Sequence, residues 1–512
     1  METIEETDIH SLRHHLAEKD KHLSECHAEI LRLKEIIEWF KRQAFGKKSK
    51  RMIDNAQQLQ LDGFENIEQT KEEETQNIPE HKRKKSRSAG QDTIKLPEDL
   101  PVETIVIDIP EEQKVCKETG APLQKIGEEV SFKLAHRPGS YYIKKFVRPK
   151  YAYPKQEEQG ILTALMPDGI LPKCRADESL LAEIVTRKFV DHLPLYRIAE
   201  SFTRENISIS RRLLSQWVVN VGLALQPLYQ AMKQCILTSE RIHIDESPVD
   251  IFDSPKVAQG YMWVVVGGQG SDPPYRLYDF KENRKHEHVE EILGSYSGII
   301  HSDKYSAYEV YVRKHGSVWA PCWAHIRRKF YEAEMGDPAL RIWILEQIGQ
   351  LFALEENAWT LSPEERLQLR LSQAVPIIDG LVDRVKKRLI EGRLLPKSKF
   401  KEALGYFCSL IPHLKNYTRH ASARLDNNPA ERAIRPLAIG RKNWLFFGSV
   451  ESGRAAATLL SLVQTCRSLQ INPRIYLEDV CRRLMGHSAQ RLHELLPDEW
   501  QKAQLGKGPR PI

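Results

Sequence analysis

The run RIHIDESPVDIF at 241–252, with GYMWVVVGG at 260–268, YRLYDF at 275–280 and SGIIHSD at 297–303, decides the fold. Each stretch is short, rich in β-branched and aromatic residues, and bounded by turn formers, which is the pattern of a strand. KHEHVEEILGSY at 285–296 and KYSAYEVYVRKH at 304–315 carry helical spacing instead. Strands that begin as consecutive runs and then alternate with helices predict a mixed α/β sheet. Two of these strands are expected to end in an acid, Asp245 in IHIDES and Asp303 in IIHSDKY. An apolar strand that terminates in Asp delivers its carboxylate to the sheet edge, where a ligand or metal can reach it. Glu246 and Asp250 lie on the same first strand, so spacing alone does not choose among them.

Downstream, residues 337–415 lose all strand signal. Asp337–Pro338 and Ser362–Pro363–Glu364–Glu365 are helix starts, the second with a capping-box Glu. Pro376 is expected to break or kink the helix that follows. After this helical insertion comes LDNNPAERAIRPLAIGRKNWLFFGS at 425–449. There Asp426 to Asn428 can cap a helix with Pro429 at its start. Glu431 then falls in the first turns, with Arg432, Arg435, Arg441 and Lys442 around one carboxylate. Three convergent carboxylates suit hard divalent cations, which take oxygen ligands, and a pair of such ions supports phosphodiester chemistry. For any one acid, a role as cap or surface ion-pair partner is the commoner one.

Upstream, PLYRIAESFTRENISISRRLLSQWVVNV at 194–221 reads as helix, polar turn around Glu205–Asn206, and second helix. Ser208 or Ser210 is the N-cap, Leu213, Leu214, Trp217 and Val218 line one side, and Arg211 and Arg212 sit near its start. That is the layout of a helix-turn-helix, although any two-helix hairpin has the same pattern. Residues 5–45 repeat apolar positions every seven residues (Ile9, Leu16, Leu23, Ile30, Ile37), which predicts a coiled coil and hence self-association or a partner helix, the other reading being an amphipathic helix packed on the chain's own core. Between them lie a charged stretch too poor in apolar residues to fold alone and a short-stranded unit from about 101.

At 512 residues the chain has room for three or four units, and 76 Lys+Arg against 70 Asp+Glu leave a net charge of only 76 − 70 = +6. The basic residues are clustered at 41–51, 82–87, 325–329 and 432–442. No apolar run approaches the ~20 residues of a membrane span, and METIEETDIHSLRHH is charged throughout, unlike a signal peptide. The eight cysteines are scattered singly, with no C-x-x-C pair, which suits a reducing cytoplasm better than a disulfide framework.

DNNPAERAIRPLAIGRKNWLFFGS closely resembles the signature of insertion-sequence-66-type transposases. KFVDHLPLYR (188–197), GYMWVVVGG, HSDKYSAY (301–308) and CWAHIRRKF (322–330) resemble the same family in the same order, as do QAFGKKSK (43–50) and INPRIYLEDVCRRL (471–484). The resemblance implies an RNase H-like mixed-sheet core whose catalytic, metal-binding triad falls on Asp245, Asp303 and Glu431, with two magnesium ions. It implies nicking of element ends, then attack of the freed 3′-hydroxyl on target DNA. Cys322-x-x-His325 resembles an element found ahead of the insertion in several such enzymes, which gives His325 a positioning role, and Arg432 and Arg435 are further auxiliary candidates. DNA contacts are expected from Arg211, Arg212, Arg327, Arg328, Lys329, Arg441 and Lys442. The partners implied are double-stranded DNA (terminal repeats and target), further copies of the chain in a homodimer or higher multimer, and accessory proteins of the same element, all in the cytoplasm at the nucleoid.

The expected organisation is therefore a coiled-coil arm with a basic end (1–54), a flexible linker (55–100), a small degenerate zinc-finger-like module (101–165) and a helix-turn-helix region (166–238). The α/β core follows in two parts (239–336 and 419–465) around the helical insertion (337–418), with a helical tail (466–512). Two departures stand out. The family's small module usually carries two C-x-x-C pairs, but here Cys116 is left with Thr119, Tyr153 and Gln156 at the other positions. One thiolate cannot build a tetrahedral zinc site, so no structural zinc is expected. Lys304 also replaces a common Gly beside Asp303. Two other readings stay open: a catalytically decayed DNA-binding regulator, and a nuclease of the same fold.

Overall fold

The computed structural model describes residue 19 and residues 100–505, apart from 116–121, 123, 138, 153–160, 254–255, 268–272 and 393. The predicted coiled coil, the linker and the four positions Cys116, Thr119, Tyr153 and Gln156 lie outside the described residues.

Strands β1 (Val102–Val106), β2 (Gln124–Arg137), β3 (Ser140–Ala152) and β4 (Ile161–Thr163) form a small sheet in which β3 is central. β2 and β3 are a long hairpin whose turn needs Gly139 at φ +83°. The hairpin is fastened to the body by a buried ion pair, Lys144 Nζ to Asp177 Oδ2 at 2.8 Å. Asp177 also caps α1 (Glu178–Phe189) by accepting from the Ser179 N–H at 3.0 Å.

Helices α2 (Leu195–Arg204), α3 (Arg211–Ala224) and α4 (Gln226–Ile236) follow. As expected, Ser210 caps α3, its Oγ accepting from Leu213 N at 3.2 Å, and Leu214, Trp217 and Val218 are buried. The connection at 205–210, with Asn206 at φ +56° and Ile207 and Ile209 buried, is longer than the ~3–4 residues of a helix-turn-helix turn.

The main sheet contains β5 (Arg241–Asp253), β6 (Lys256–Val266), β7 (Arg276–Lys281), β8 (Ile299–Ser302), β9 (Val318–Pro321) and the short β10 (Phe446–Phe447). Its order is β7-β6-β5-β8-β9, with β10 on β5. β5 to β7 are antiparallel neighbours, whereas β8, β9 and β10 run parallel. The order follows from the connections: only a few residues separate β5, β6 and β7 in sequence, while α5 (Glu287–Leu293) and α6 (Ser306–His315) carry the chain over to β8 and β9. β8 pairs with β5 only as far as His243, and β10 takes up the same edge at Asp250. A notch is left between them.

After α7 (Trp323–Tyr331) the insertion comprises α8 (Pro338–Ala358), α9 (Pro363–Leu369), α10 (Val375–Ile390), α11 (Lys399–Leu410) and α12 (Asn416–Arg419). It packs its own core (Ile344, Ile348, Ile378, Phe400, Phe407) against Trp323 and Phe330 of α7. Pro376 does not end the helix. The helix instead runs on through a π turn at Arg370–Ala374 directly into α10, and this widened turn just ahead of Pro376 accommodates the residue that has no N–H to donate.

α13 (Asn428–Trp444) and β10 lead to α14 (Val450–Ser468), which is buried on nearly every side against β7 and α3. α15 (Pro473–Arg483) and α16 (Pro497–Leu505) complete the same core, which runs through α1 to α4 and the main sheet. Among the described residues no helix is long and apolar enough to cross a membrane.

Candidate active site

Asp245 was expected at a strand end but lies within β5, which continues to Asp253. Its carboxylate is accessible for a different reason: the neighbouring β8 stops before it, at the notch. The hydrogen bond it accepts comes from the Glu246 backbone N–H at 2.9 Å, and no ion pair reaches it among the described residues. Burial, then the negative charges of Glu246, Asp303 and Glu431, push this carboxyl up to about 8. Asp303 directly follows β8, and its Oδ1 accepts from Tyr305 N at 3.0 Å at the entrance to α6.

Glu246, the neighbour that spacing could not exclude, is differently placed. Its side chain is ion-paired with Arg284 and accepts from Tyr308 Oη at 2.6 Å. Burial raises its carboxyl as well, but here a cation and a phenol pull it back down. Of the two adjacent acids, Asp245 is therefore the one lacking a positive partner.

Glu431 enters from α13. The predicted cap is only partly as expected: Asp426 accepts from Asn428 N at 3.1 Å and Pro429 sits in the first turn, but the Asn427 side chain does not cap. It is wholly buried and turned inward, donating from Nδ2 to Ile244 O at 2.9 Å and meeting His243 Nδ1 through Oδ1 at 3.2 Å. The Asn427 backbone N–H donates to Cys322 Sγ at 3.1 Å, and His301 Nε2 accepts from Arg424 N at 3.1 Å. His243 and His301 stack at 4.5 Å between ring centres on adjacent strands. Burial drives His243 down to about 3 and His301 well below its usual range, so both rings are neutral acceptors or donors rather than cations. This stitching fixes where α13 starts relative to β5 and β8, and so where Glu431 sits relative to Asp245.

Asn427→Ala should therefore cost about 1–3 kcal/mol, because the Ile244 carbonyl and His243 lose their partner in a buried site. A misplaced Glu431 should also lower any activity that needs the three acids by ~10²-fold. Thermal melting together with an activity assay checks both. An unchanged activity at lowered stability would remove the positioning role.

His325 stands one turn into α7, its Nδ1 3.5 Å from Glu431 Oε1. Donor atoms of Cys322, His325 and Glu431 lie within 4.8 Å of one another. Burial pushes the Cys322 thiol up to about 12, so without a bound cation the sulfur stays protonated and takes the Asn427 N–H. Cys322 thus acts as an acceptor for the Asn427 loop.

The cations expected around Glu431 are spread out instead. At ~1.5 Å per residue, Arg441 lies about 15 Å along α13. It donates to Ser247 Oγ at 2.9 Å and Pro248 O at 2.5 Å, bordering the notch. Arg432, Arg435 and Lys442 are exposed without an ion pair among the described residues. Arg327 is exposed on α7, Arg328 pairs with Glu332 at 2.8 Å, and Lys329 joins Lys304 over the Tyr406 ring. Arg211 and Arg212 are exposed at the start of α3.

Residue-by-residue reading missed Asn427, His243, His301 and Arg284. One signal was available: IHID and IHSD each place a His two residues before the acid, which at period two is the same strand face.

A mixed sheet with Asp245 and Asp303 at neighbouring strands, near enough to Glu431 on a helix for its charge to reach Asp245, matches the arrangement expected of a transposase of the DDE class. Comparison with known families gives the particular one. Residues 173–455 match the model of the transposase IS66 family, residues 32–105 that of transposase C of IS166 homeodomain, and residues 461–497 the IS66 C-terminal element. The chain belongs to the transposase IS66 family. It is also similar to three uncharacterized proteins of Sinorhizobium fredii (strain NBRC 101917 / NGR234). y4hP is 31% identical over 428 residues (80% of this chain, 76% of the relative) and y4qI 31% over 396 residues (74% and 73%). y4jD is 29% identical over 439 residues (82% and 84%).

Proposed function

We propose that this chain is the DNA transposase of a bacterial insertion sequence, cutting element ends and transferring them to target DNA on an RNase H-like core. The observation that carries the reading is Asp245: a largely buried carboxylate that burial, then the negative charges of Glu246, Asp303 and Glu431, push up to about 8. Such a site fits a hard divalent cation, and Asp245, Asp303 and Glu431 are the residues to hold it. Bound there, magnesium would acidify a water or 3′-hydroxyl and carry charge on the leaving oxygen. The protein's own part is positional. The Asn427 loop sets Glu431 against the strands, His325 bears on the Glu431 carboxylate, and Arg284 occupies Glu246 so that it does not compete. Arg432, Arg435 and Lys442 on α13, Arg441 at the notch, Arg327 to Lys329 on α7 and Arg211 and Arg212 on α3 are the proposed contacts to DNA phosphates. The substrate is double-stranded DNA, bound by a homodimer or larger assembly.

The test is strand nicking of a duplex carrying the inverted repeats that flank the coding sequence. Nicking should need magnesium or manganese and stop with chelator. A purified, folded chain that nicks neither repeat in either metal would sink the reading.

A further inference from the structure

Two motifs have no task in this chemistry: KFVDHLPLYR at 188–197 and the NWLFFGS turn at 443–449. The fold brings them together. Between α1, α2, α3 and the turn after α13 lies a groove of about 790 Å³, lined by Lys188, Tyr196, Arg211, Arg212, Trp444 and Phe446 among others. That is within the size range of small-ligand sites, roughly 300–1,000 Å³.

Its chemistry is one-sided. Three lining residues are cations and none is acidic. The Lys188 ammonium stands 5.3 Å from the Trp444 ring centre and 5.5 Å from that of Phe189, with no hydrogen bond or ion pair among the described residues. Burial alone pulls it down to about 8. Tyr196 and Phe446 leave much of their rings exposed, at 42% and 44%. Between Trp444 and Phe446, Leu445 is 63% exposed and held at φ 65°, ψ −55°, a conformation unfavourable for a residue with a Cβ. Strained backbone of this kind persists where the surroundings enforce it, commonly at ligand clamps.

Exposed rings beside unpaired cations are what a nucleotide outside a duplex requires: the π-face of its base stacks on aromatics while its phosphate meets Lys and Arg. A paired base hides that face within the helix. A protein segment carrying acids could match the cations but would have no particular use for the rings. We propose that this groove holds one unpaired nucleotide of the bound DNA, the base against Tyr196, Trp444 and Phe446 and the phosphate on Lys188, Arg211 and Arg212. The proposal rests on the reading that the chain acts on DNA, but concerns a second site. Glu431 and Trp444 are at opposite ends of α13, roughly 20 Å apart at ~1.5 Å per residue, or about six steps of ~3.4 Å along a strand.

Two probes of one terminal sequence test it on the full chain: a blunt duplex, and the same duplex with a single unpaired 2-aminopurine about six nucleotides from the end. The bulged probe should bind about tenfold tighter, as stacking of one base allows, and its fluorescence should fall on binding. Trp444→Ala and Phe446→Ala should bring the affinity ratio to about one, and Trp444→Phe should keep most of it. Because Tyr196 and Phe446 are exposed, the pair Tyr196→Ala and Phe446→Ala serves if Trp444→Ala fails to fold. Equal affinity of the wild type for both probes overturns the proposal, as does a preference that survives loss of the rings. A wild type that nicks the blunt duplex yet shows no preference overturns this site alone. One that binds neither probe overturns the DNA reading with it.

Discussion

Asp245→Asn is expected to reduce metal-dependent nicking by at least ~10³-fold and, at the same time, to raise the melting temperature of the metal-free protein. The first effect follows if Asp245 is a metal-holding acid, since an amide keeps the shape and loses the charge. The second follows from its environment. An aspartate unfolded in water titrates near ~3.9, whereas the folded carboxyl is pushed up to about 8. A raised acid pKa opposes folding wherever the unfolded state is ionised. The penalty is absent below pH ~4, grows as pH rises toward 8, and is complete above it. Asparagine removes it, so the stabilisation should be largest at pH 8 and vanish near pH 4. Its size should be on the order of a few kcal/mol, because each tenfold change in proton affinity is worth ~1.4 kcal/mol and the neighbouring acids relax together. Adding magnesium should raise the melting temperature of the wild type and leave that of the variant nearly unchanged. Melting curves in chelator at pH 5 and pH 8, with and without metal, decide the matter. A variant that melts below the wild type at pH 8 would mean that Asp245 is a structural acid already compensated.

The outline of this site was legible because it rests on local pattern. Short runs of β-branched and aromatic residues bounded by turn formers pointed to β5, β6, β7 and β8, and Pro429 after a polar cluster pointed to the start of α13. Where Asp245 emerges was not legible, since it depends on β8 stopping early rather than on anything in β5 itself. The same holds for Asn427: Asp, Asn and Asn before a Pro all read as caps, and only the burial of one against Ile244 and His243 separates it from the others. Cations are the hardest to place. Four of them follow Glu431 in sequence, yet helical rise carries Arg441 to the notch and leaves the others facing solvent. The groove beside Lys188 joins segments some 250 residues apart in sequence, a distance that no motif spacing records.

A second large effect is expected far from the acids, at Arg370. Its side chain is 1% exposed and grips Glu355 with two bonds, Nε to Oε1 at 2.8 Å and Nη2 to Oε2 at 2.7 Å. The same guanidinium donates to the carbonyls of Tyr417, His420 and Ala423, each at 2.9 Å. Arg366 adds Ala421 O at 2.9 Å, and Arg241 of β5 adds Ser422 O at 2.6 Å. The segment that returns the chain from the insertion to Asn427 is thus held by three guanidiniums, two from the insertion and one from the sheet. The insertion therefore sets the approach of Glu431. Arg370→Leu leaves Glu355 buried without its cation and should cost about 3–5 kcal/mol. It should also lower nicking, because the 417–423 backbone loses its anchor and Glu431 follows it. Replacing both partners, Arg370→Leu with Glu355→Leu, removes the stranded charge and should recover much of the stability, as buried pairs exchanged for apolar residues commonly do. It cannot restore the carbonyl anchors, so nicking should stay low. Urea denaturation and nicking rates for the single and double variants separate the two contributions. If the double variant regains activity along with stability, the arginine serves the fold alone, and the position of Glu431 is set by the Asn427 loop without help from the insertion.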